Sequence, residues 1–215
     1  MEERIGQCTC CSKLICNGCS HANQKREIME GRRQSKCPFC RNAAPKTDEE
    51  CNERLMKRIE ANDPVAMCEI GKERFKKGNY EAAFEYWTRA AALGDVMSHY
   101  QVSVLYGKGQ GVEKDEEKAL HHTEKAAIGG HPDARYNLAL VEGRNICGVD
   151  RAVKHFIIAA NLGHDLSLTY VKNAYKVGIV SKEDFTAALR GYQAAIEATK
   201  SPQREEASGF MMRPP

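Results

Sequence analysis

Aromatic residues make up only 7% of this 215-residue chain, with a single tryptophan, Trp87, and no apolar run approaches the ~20 residues that a membrane-crossing helix needs. The opening stretch MEERIGQCTCC has no apolar run behind its charges, so neither a secretory signal nor an anchor is expected, and the chain is expected in the cytosol or nucleus. An excess of one charge sign is missing too: 32 Lys/Arg face 29 Asp/Glu, for a net charge of +3. With 42% hydrophobic and 28% charged residues, this composition excludes disordered and membrane classes and predicts a soluble protein of two unequal units. There is no strand-borne phosphate loop, because GKGQGVEKD (107–115) lies between two helical stretches.

What the chain does have is cysteine. Seven of its ten cysteines fall between Cys8 and Cys40, and in a reducing compartment such clustering points to metal rather than disulfides. Cys51, Cys68 and Cys147 are scattered through helical-looking sequence and are expected to pack as small hydrophobes.

Composition changes near Pro45. Residues 1–46 carry nine Lys/Arg against four Asp/Glu and few large aliphatics, whereas the rest alternates apolar and charged residues at helical spacing. Residues 47–63 read as a connecting helix, capped by Thr47 or Asp48 and ended by Asn62-Asp63-Pro64, and residues 201–215 as a disordered tail.

From Pro64 the chain repeats. Aligning RAAALGD (89–95), KAAIGGH (125–131) and AANLGH (159–164) places Gly94, Gly130 and Gly163 at intervals of 36 and 33 residues, a solenoid period. Each period divides into two helical stretches, so residues 64–200 are expected to form about four helical hairpins, a mostly α architecture. A hairpin of this size exposes an apolar stripe that it cannot bury alone, and stacking resolves this. Ala90, Ala91, Ala126, Ala127, Ala159 and Ala160 fall where helices approach closely; Phe84, Trp87, Tyr100, Leu105, Tyr136, Leu138, Phe156 and Tyr170 are expected to fill the space between layers. Gly78, Gly94, Gly130 and Gly163 follow periodic helix, as a left-handed C-terminal cap requires; Gly111 suits a turn, and Asp115 an N-cap.

The second copy, LYGKGQGVEKDEEKALHHTEKAAIGGHPDA (105–134), resembles the Sel-one-like repeat, a relative of the tetratricopeptide repeat. The resemblance covers residues 64 to about 200, though the other copies lack the GxGVxKD turn. It implies an α-solenoid that binds other proteins through its concave face.

The front end reads C8-T-C10-C11-S-K-L-I-C16-N-G-C19, seventeen residues, then C37-P-F-C40-R. Zinc takes four soft ligands in a tetrahedron, and a Cys-x2-Cys pair supplies two across one tight knuckle, so Zn2+ is the expected cofactor. The spacing resembles a RING finger, whose cross-brace holds two zincs by four ligand pairs. The resemblance makes Cys10 and Cys11 the second pair, Cys16 and Cys19 the third, and Cys37 and Cys40 the fourth. Ile15, Pro38 and Arg41 then match positions that dock a ubiquitin-conjugating enzyme. The chain departs from the pattern in two ways. No Cys-x2-Cys pair precedes Cys8, so the first pair would have to lie upstream of Met1; and Lys13 stands where many RING fingers place a histidine. Cys10, Cys11, Cys37 and Cys40 would close one site, while Cys16 and Cys19 would lack partners. A rival arrangement pairs Cys8 with Cys11.

Lys25, Arg26, Arg32, Arg33 and Lys36 lie in the segment between the last two pairs, read as a solvated loop; no aromatics interleave for base stacking, which argues against a nucleic-acid partner. His121 and His122 read as surface or packing residues rather than metal ligands. The functional expectation is therefore a protein-binding protein with a zinc module: either a RING-type ubiquitin ligase subunit, with no catalytic residue of its own, or a non-catalytic scaffold in which the zinc is structural.

Overall fold

A computed structural model of the chain describes residues 6–7, 11, 14–15, 17–31, 36–45, 47–144 and 148–202. The expectations for Cys8, Cys10, Lys13, Cys16, Arg32, Arg33, Cys147 and most of the tail lie outside the described residues. The chain divides into two compact units: one spans Cys68–Thr199, and the other holds the described residues up to Met67 together with those from Lys200. No helix among the described residues is long and apolar enough to cross a membrane.

The N-terminal unit begins with a two-stranded antiparallel sheet, β1 (Gly6–Gln7) against β2 (Leu14–Ile15), with Gly6 opposite Ile15 and Gln7 opposite Leu14. Helix α1 (Asn17–Met29) follows, and it corrects the loop reading of this segment: Lys25 and Arg26 stand on a helix. Residues 19–30 contain no proline or glycine to break it, and Ala22, Gln24, Lys25, Arg26 and Glu27 are good helix formers. Helix α2 (Asp48–Glu60) falls where a connecting helix is expected, but it belongs to the N-terminal unit. The Thr47 hydroxyl accepts from the Glu50 amide at 3.2 Å, and the helix stops where Asn62 turns left-handed (φ 56°). Leu55 and Ile59, one turn apart, are its buried residues.

Helix α3 (Pro64–Lys76) spans the division and pairs with α4 (Tyr80–Ala92). The remaining hairpins are α5 (Val96–Lys108) with α6 (Glu116–Ile128), α7 (Pro132–Glu142) with α8 (Val149–Asn161), and α9 (Asp165–Lys176) with α10 (Lys182–Thr199). These are the four expected hairpins, and the predicted alanines behave as close-approach positions: Ala90, Ala91, Ala126, Ala127, Ala159 and Ala160 are all buried. Trp87 and Leu105 join one core cluster, Leu138 a second and Phe156 a third. Tyr170 departs from expectation. It is 44% exposed, although Phe156 stacks on its ring at 4.5 Å between centroids and 9° between planes and Tyr136 meets it edge-on at 5.9 Å.

The caps explain the sharp ends. Gly78, Gly94, Gly130 and Gly163 have φ of 77°, 87°, 89° and 88°, where a β-carbon is disfavoured. Gly111 has φ 69° in its turn, and the Asp115 carboxylate accepts from the Lys118 amide at 2.9 Å to start α6.

Candidate functional site

The best-formed candidate for chemistry is a group of thiols in the N-terminal unit. Lys36 and Ala43 form an antiparallel bridge; the Cys37 amide donates to the Asn42 carbonyl at 2.8 Å, and the Arg41 amide to the Cys37 carbonyl at 2.9 Å. Arg41 completes the tight reversal with φ 60°, so CPFCR forms a knuckle that presents both of its cysteines to one side. Helix α1 braces this knuckle: the Glu27 carboxylate accepts from the Lys36 amide at 2.9 Å, and the Asn23 amide donates to the Lys36 carbonyl at 3.4 Å. The Cys11 and Cys37 sulfurs stand 3.6 Å apart, and with Cys40 they form a trio whose sulfurs all lie within 4.8 Å of one another. Two thiolates at ~2.3 Å from a tetrahedral zinc would be about 3.8 Å apart, so the donor set and its spacing fit that ion.

Three of the four cysteines expected to close one site are thus brought together. The fourth, Cys10, lies outside the described residues, as does Cys16. Cys19 is exposed on α1 and is not in the trio. Ile15 falls on β2, and Pro38 and Arg41 are exposed on the knuckle.

The repeats carry a second set of polar side chains at matched positions. Asp95, His131 and His164 each follow a cap glycine and cap the next helix: Asp95 accepts from the Ser98 amide at 2.7 Å, His131 Nδ1 from Ala134 at 3.4 Å, and His164 Nδ1 from Ser167 at 3.2 Å. A ring nitrogen accepts only when unprotonated, and burial pushes the His131 pKa down, against the opposing pull of Asp133, which favours that form. His131 also stacks on Tyr100 at 4.2 Å, and His164 lies 4.7 Å from the Tyr136 ring. Asp133, in the first turn of α7, reaches the residue that caps α9, with its carboxylate 3.3 Å from His164 Nε2. Sequence reading missed the histidine caps, although their alignment with Asp95 was a usable signal.

His122 is similarly drawn inward. Its Nδ1 lies 3.0 Å from that of His99, so one ring donates to the other, and burial, then His99 and His121, lower its pKa to about 4. Of the two expected roles, surface or packing, His122 takes packing, while His121 is exposed and meets the His122 ring edge-on at 5.5 Å between centroids.

The Sel1 repeat family matches residues 64–95, 96–131 and 132–164. Two curated relatives are similar: chitin synthase regulatory factor 2 of Schizosaccharomyces pombe, 32% identical over 40% of this chain, and DAP3-binding cell death enhancer 1 of Mus musculus, 25% identical over 63% of it. This chain spans only 17% and 34% of their respective lengths. Among solved structures, a Sel1 repeat protein from Oxalobacter formigenes aligns with TM-score 0.56 and 22% identity, covering 75% of this chain and 67% of that one. A protective antigen of uropathogenic Escherichia coli displaying an SLR fold aligns with TM-score 0.52 and 24% identity, covering 80% of this chain and 38% of that one. The matched intervals coincide with the hairpins α3–α4, α5–α6 and α7–α8. Residues 64–164 are therefore three consecutive Sel1 repeats, and the fold they build is a Sel1-type α-solenoid.

Proposed function

We propose that this chain is a non-catalytic scaffold or adaptor, whose repeats hold another protein and whose cysteine module is kept in shape by zinc. The observation that carries the reading is the run of stacked hairpins from α3 to α10. A solenoid of this kind closes its interior with small residues and offers an extended outer surface, which suits protein binding. The name of the murine relative describes a protein binder, and that property is carried over here as part of the proposal. Cys11, Cys37 and Cys40, with Cys10 as fourth ligand, would hold the ion.

The test is affinity capture with the full chain, comparing wild type with Leu162→Asp/Leu166→Asp, two exposed apolar residues beside a repeat cap. The expected result is a discrete protein retained by wild type and by Cys37→Ser but lost with the repeat variant. Retention that is unaffected by the repeat variant and abolished by Cys37→Ser would overturn it.

A RING-ligase reading is favoured by one observation, the exposure of Pro38 and Arg41 beside the thiol trio. It requires autoubiquitination in the presence of a conjugating enzyme, lost on Arg41→Ala; no activity with wild-type chain leaves the scaffold reading alone.

A further inference from the structure

The first helices of the four hairpins lie side by side in chain order. Asp95 and Ser98, at the start of α5, stand beside the Cys68 thiol of α3. Tyr100 of α5 stacks on His131, the cap of α7, at 4.2 Å, and Tyr136 of α7 meets Tyr170 of α9 at 5.9 Å. Matched positions in these helices therefore form rows. The steps from Lys108 to Arg144 and on to Val177, 36 and 33 residues, repeat those between the caps Asp95, His131 and His164. Lys76 ends α3 as Lys108 ends α5. All four residues of this row are exposed, Val177 by 71%.

The row is basic over α3, α5 and α7 and apolar on α9. Helix α5 carries no carboxylate, and those of the other three helices are engaged. Lys72 holds Glu69 at 2.7 Å and Lys77 holds Glu73; Asp133 meets His164 at 3.3 Å, Arg151 holds Glu142 at 2.8 Å, and the Tyr192 hydroxyl donates to Asp165 at 2.6 Å. Among the described residues Lys76, Lys108 and Arg144 form no ion pair; Arg144 acts at longer range on Glu116, which Lys114 already holds at 2.8 Å. The acidic first turns of α4, α6, α8 and α10 face the positive ends of their own helices. Each cation of the row is favoured singly by the negative end of the helix it follows, but the row they make together has no counter-charge. On α9, Leu166 and Tyr170 share a face with Val177, at i, i+4 and i+11, and are 56% and 44% exposed.

We propose that this face binds an acidic segment of a partner protein in polyproline II conformation, with a carboxylate at every third residue and a large apolar residue at the end that reaches α9. Packed helices stand about 8–10 Å apart. A polyproline II chain has three residues per turn and rises ~3.1 Å per residue, so one of its faces repeats about every 9.3 Å and offers one carboxylate to each helix. A β-strand would turn every third residue to alternate sides instead. The polyproline II chain is also preformed, which reduces the ordering entropy lost on docking. This inference rests on the scaffold reading and names the chemistry of the partner that reading requires.

The test is fluorescence anisotropy with the full chain and a labelled peptide of three Glu-Pro-Pro units followed by Leu. Saturable binding is expected, weakened by added salt and lost when Lys replaces Glu in the peptide. The dissociation constant should rise about tenfold in Lys108→Gln/Arg144→Gln, which removes two exposed pairs at once, and severalfold in Val177→Asp. These side chains are exposed, and Lys76→Gln carries the test alone if the double variant unfolds. A peptide with Glu at every fourth residue should bind more weakly. Absence of binding, equal binding of the Lys peptide, or a constant unchanged in the cation variants would overturn the proposal. A single-stranded oligonucleotide that binds these cations more tightly than the peptide would overturn the protein partner. If the peptide fails while Leu162→Asp/Leu166→Asp still abolishes protein capture, the scaffold reading stands and this inference falls.

Discussion

The indole of Trp87 occupies the space that a side chain at Gly71 would take, while its Nε1 donates to the Cys68 carbonyl at 3.1 Å, locking α4 onto α3. A β-carbon at residue 71 would overlap Nε1 and Cδ1 of that ring. Gly71 therefore serves a different purpose from the cap glycines Gly78, Gly94 and Gly130, which have open space around them but a positive φ. Gly71→Ala should lower stability by about 1–3 kcal/mol through overpacking. Gly94→Ala should cost roughly 1–2 kcal/mol from backbone conformation alone. Urea unfolding separates them by fluorescence: only the first shifts the native emission of the sole tryptophan.

Stability should fall on acidification through the His99–His122 pair. The pKa of His122 is depressed from an ordinary 6.5 to about 4 by burial, then by His99 and His121. Burial, then Lys125 and His121, also lower that of His99, against Asp95. Above pH 6.5 the imidazole is neutral folded or unfolded, so its contribution is full; between 6.5 and 4 the unfolded chain takes up a proton that the native state refuses, and stability drops; below 4 the loss is complete. Thermal unfolding between pH 7 and 4.5 should show this slope, and His122→Gln should flatten it. An unchanged slope in that variant would remove the assignment.

Zinc content should be about one ion per chain by elemental analysis, close to zero in Cys37→Ser. Chelation should loosen the N-terminal unit without melting the repeats, because the trio braces only that unit. Hydrogen exchange would read this as lost protection at the Cys37 and Arg41 amides with protection kept in α5 to α8. Zero zinc in wild type would end the metal reading.

Cys68 should resist alkylation in the native protein. It is 3% exposed, and burial, assisted by Asp95, pushes its thiol pKa up to about 12. Peptide mapping after iodoacetamide should find it modified only once the chain is unfolded, while the half-buried Cys51 reacts earlier.

The hairpins were legible because their signals are local. Helical spacing, the small-residue pairs ending at Gly94, Gly130 and Gly163, and the caps at Asp115 and Thr47 each depend on neighbours within a few residues. Cys37 and Cys40 were legible for the same reason, since a Cys-x2-Cys knuckle declares itself over four positions, whereas Cys11 meets them across 26 residues. The N-terminal helix was misread as loop because its stretch of polar helix formers has no strong apolar period, and its bracing of Lys36 through Glu27 is a contact across nine residues.

By itself the amino-acid sequence determined the kind of protein this is: a repeat solenoid preceded by a cysteine module, because periodicity and ligand spacing are properties of short stretches. Only the tertiary structure decided which side chains share a site. That Gly71 makes room for Trp87, that His122 faces His99, and that Lys76, Lys108 and Arg144 fall in one row across α3, α5 and α7 are relations between segments far apart in the chain. Chain folding sets such distances through packing as a whole, which no local pattern encodes.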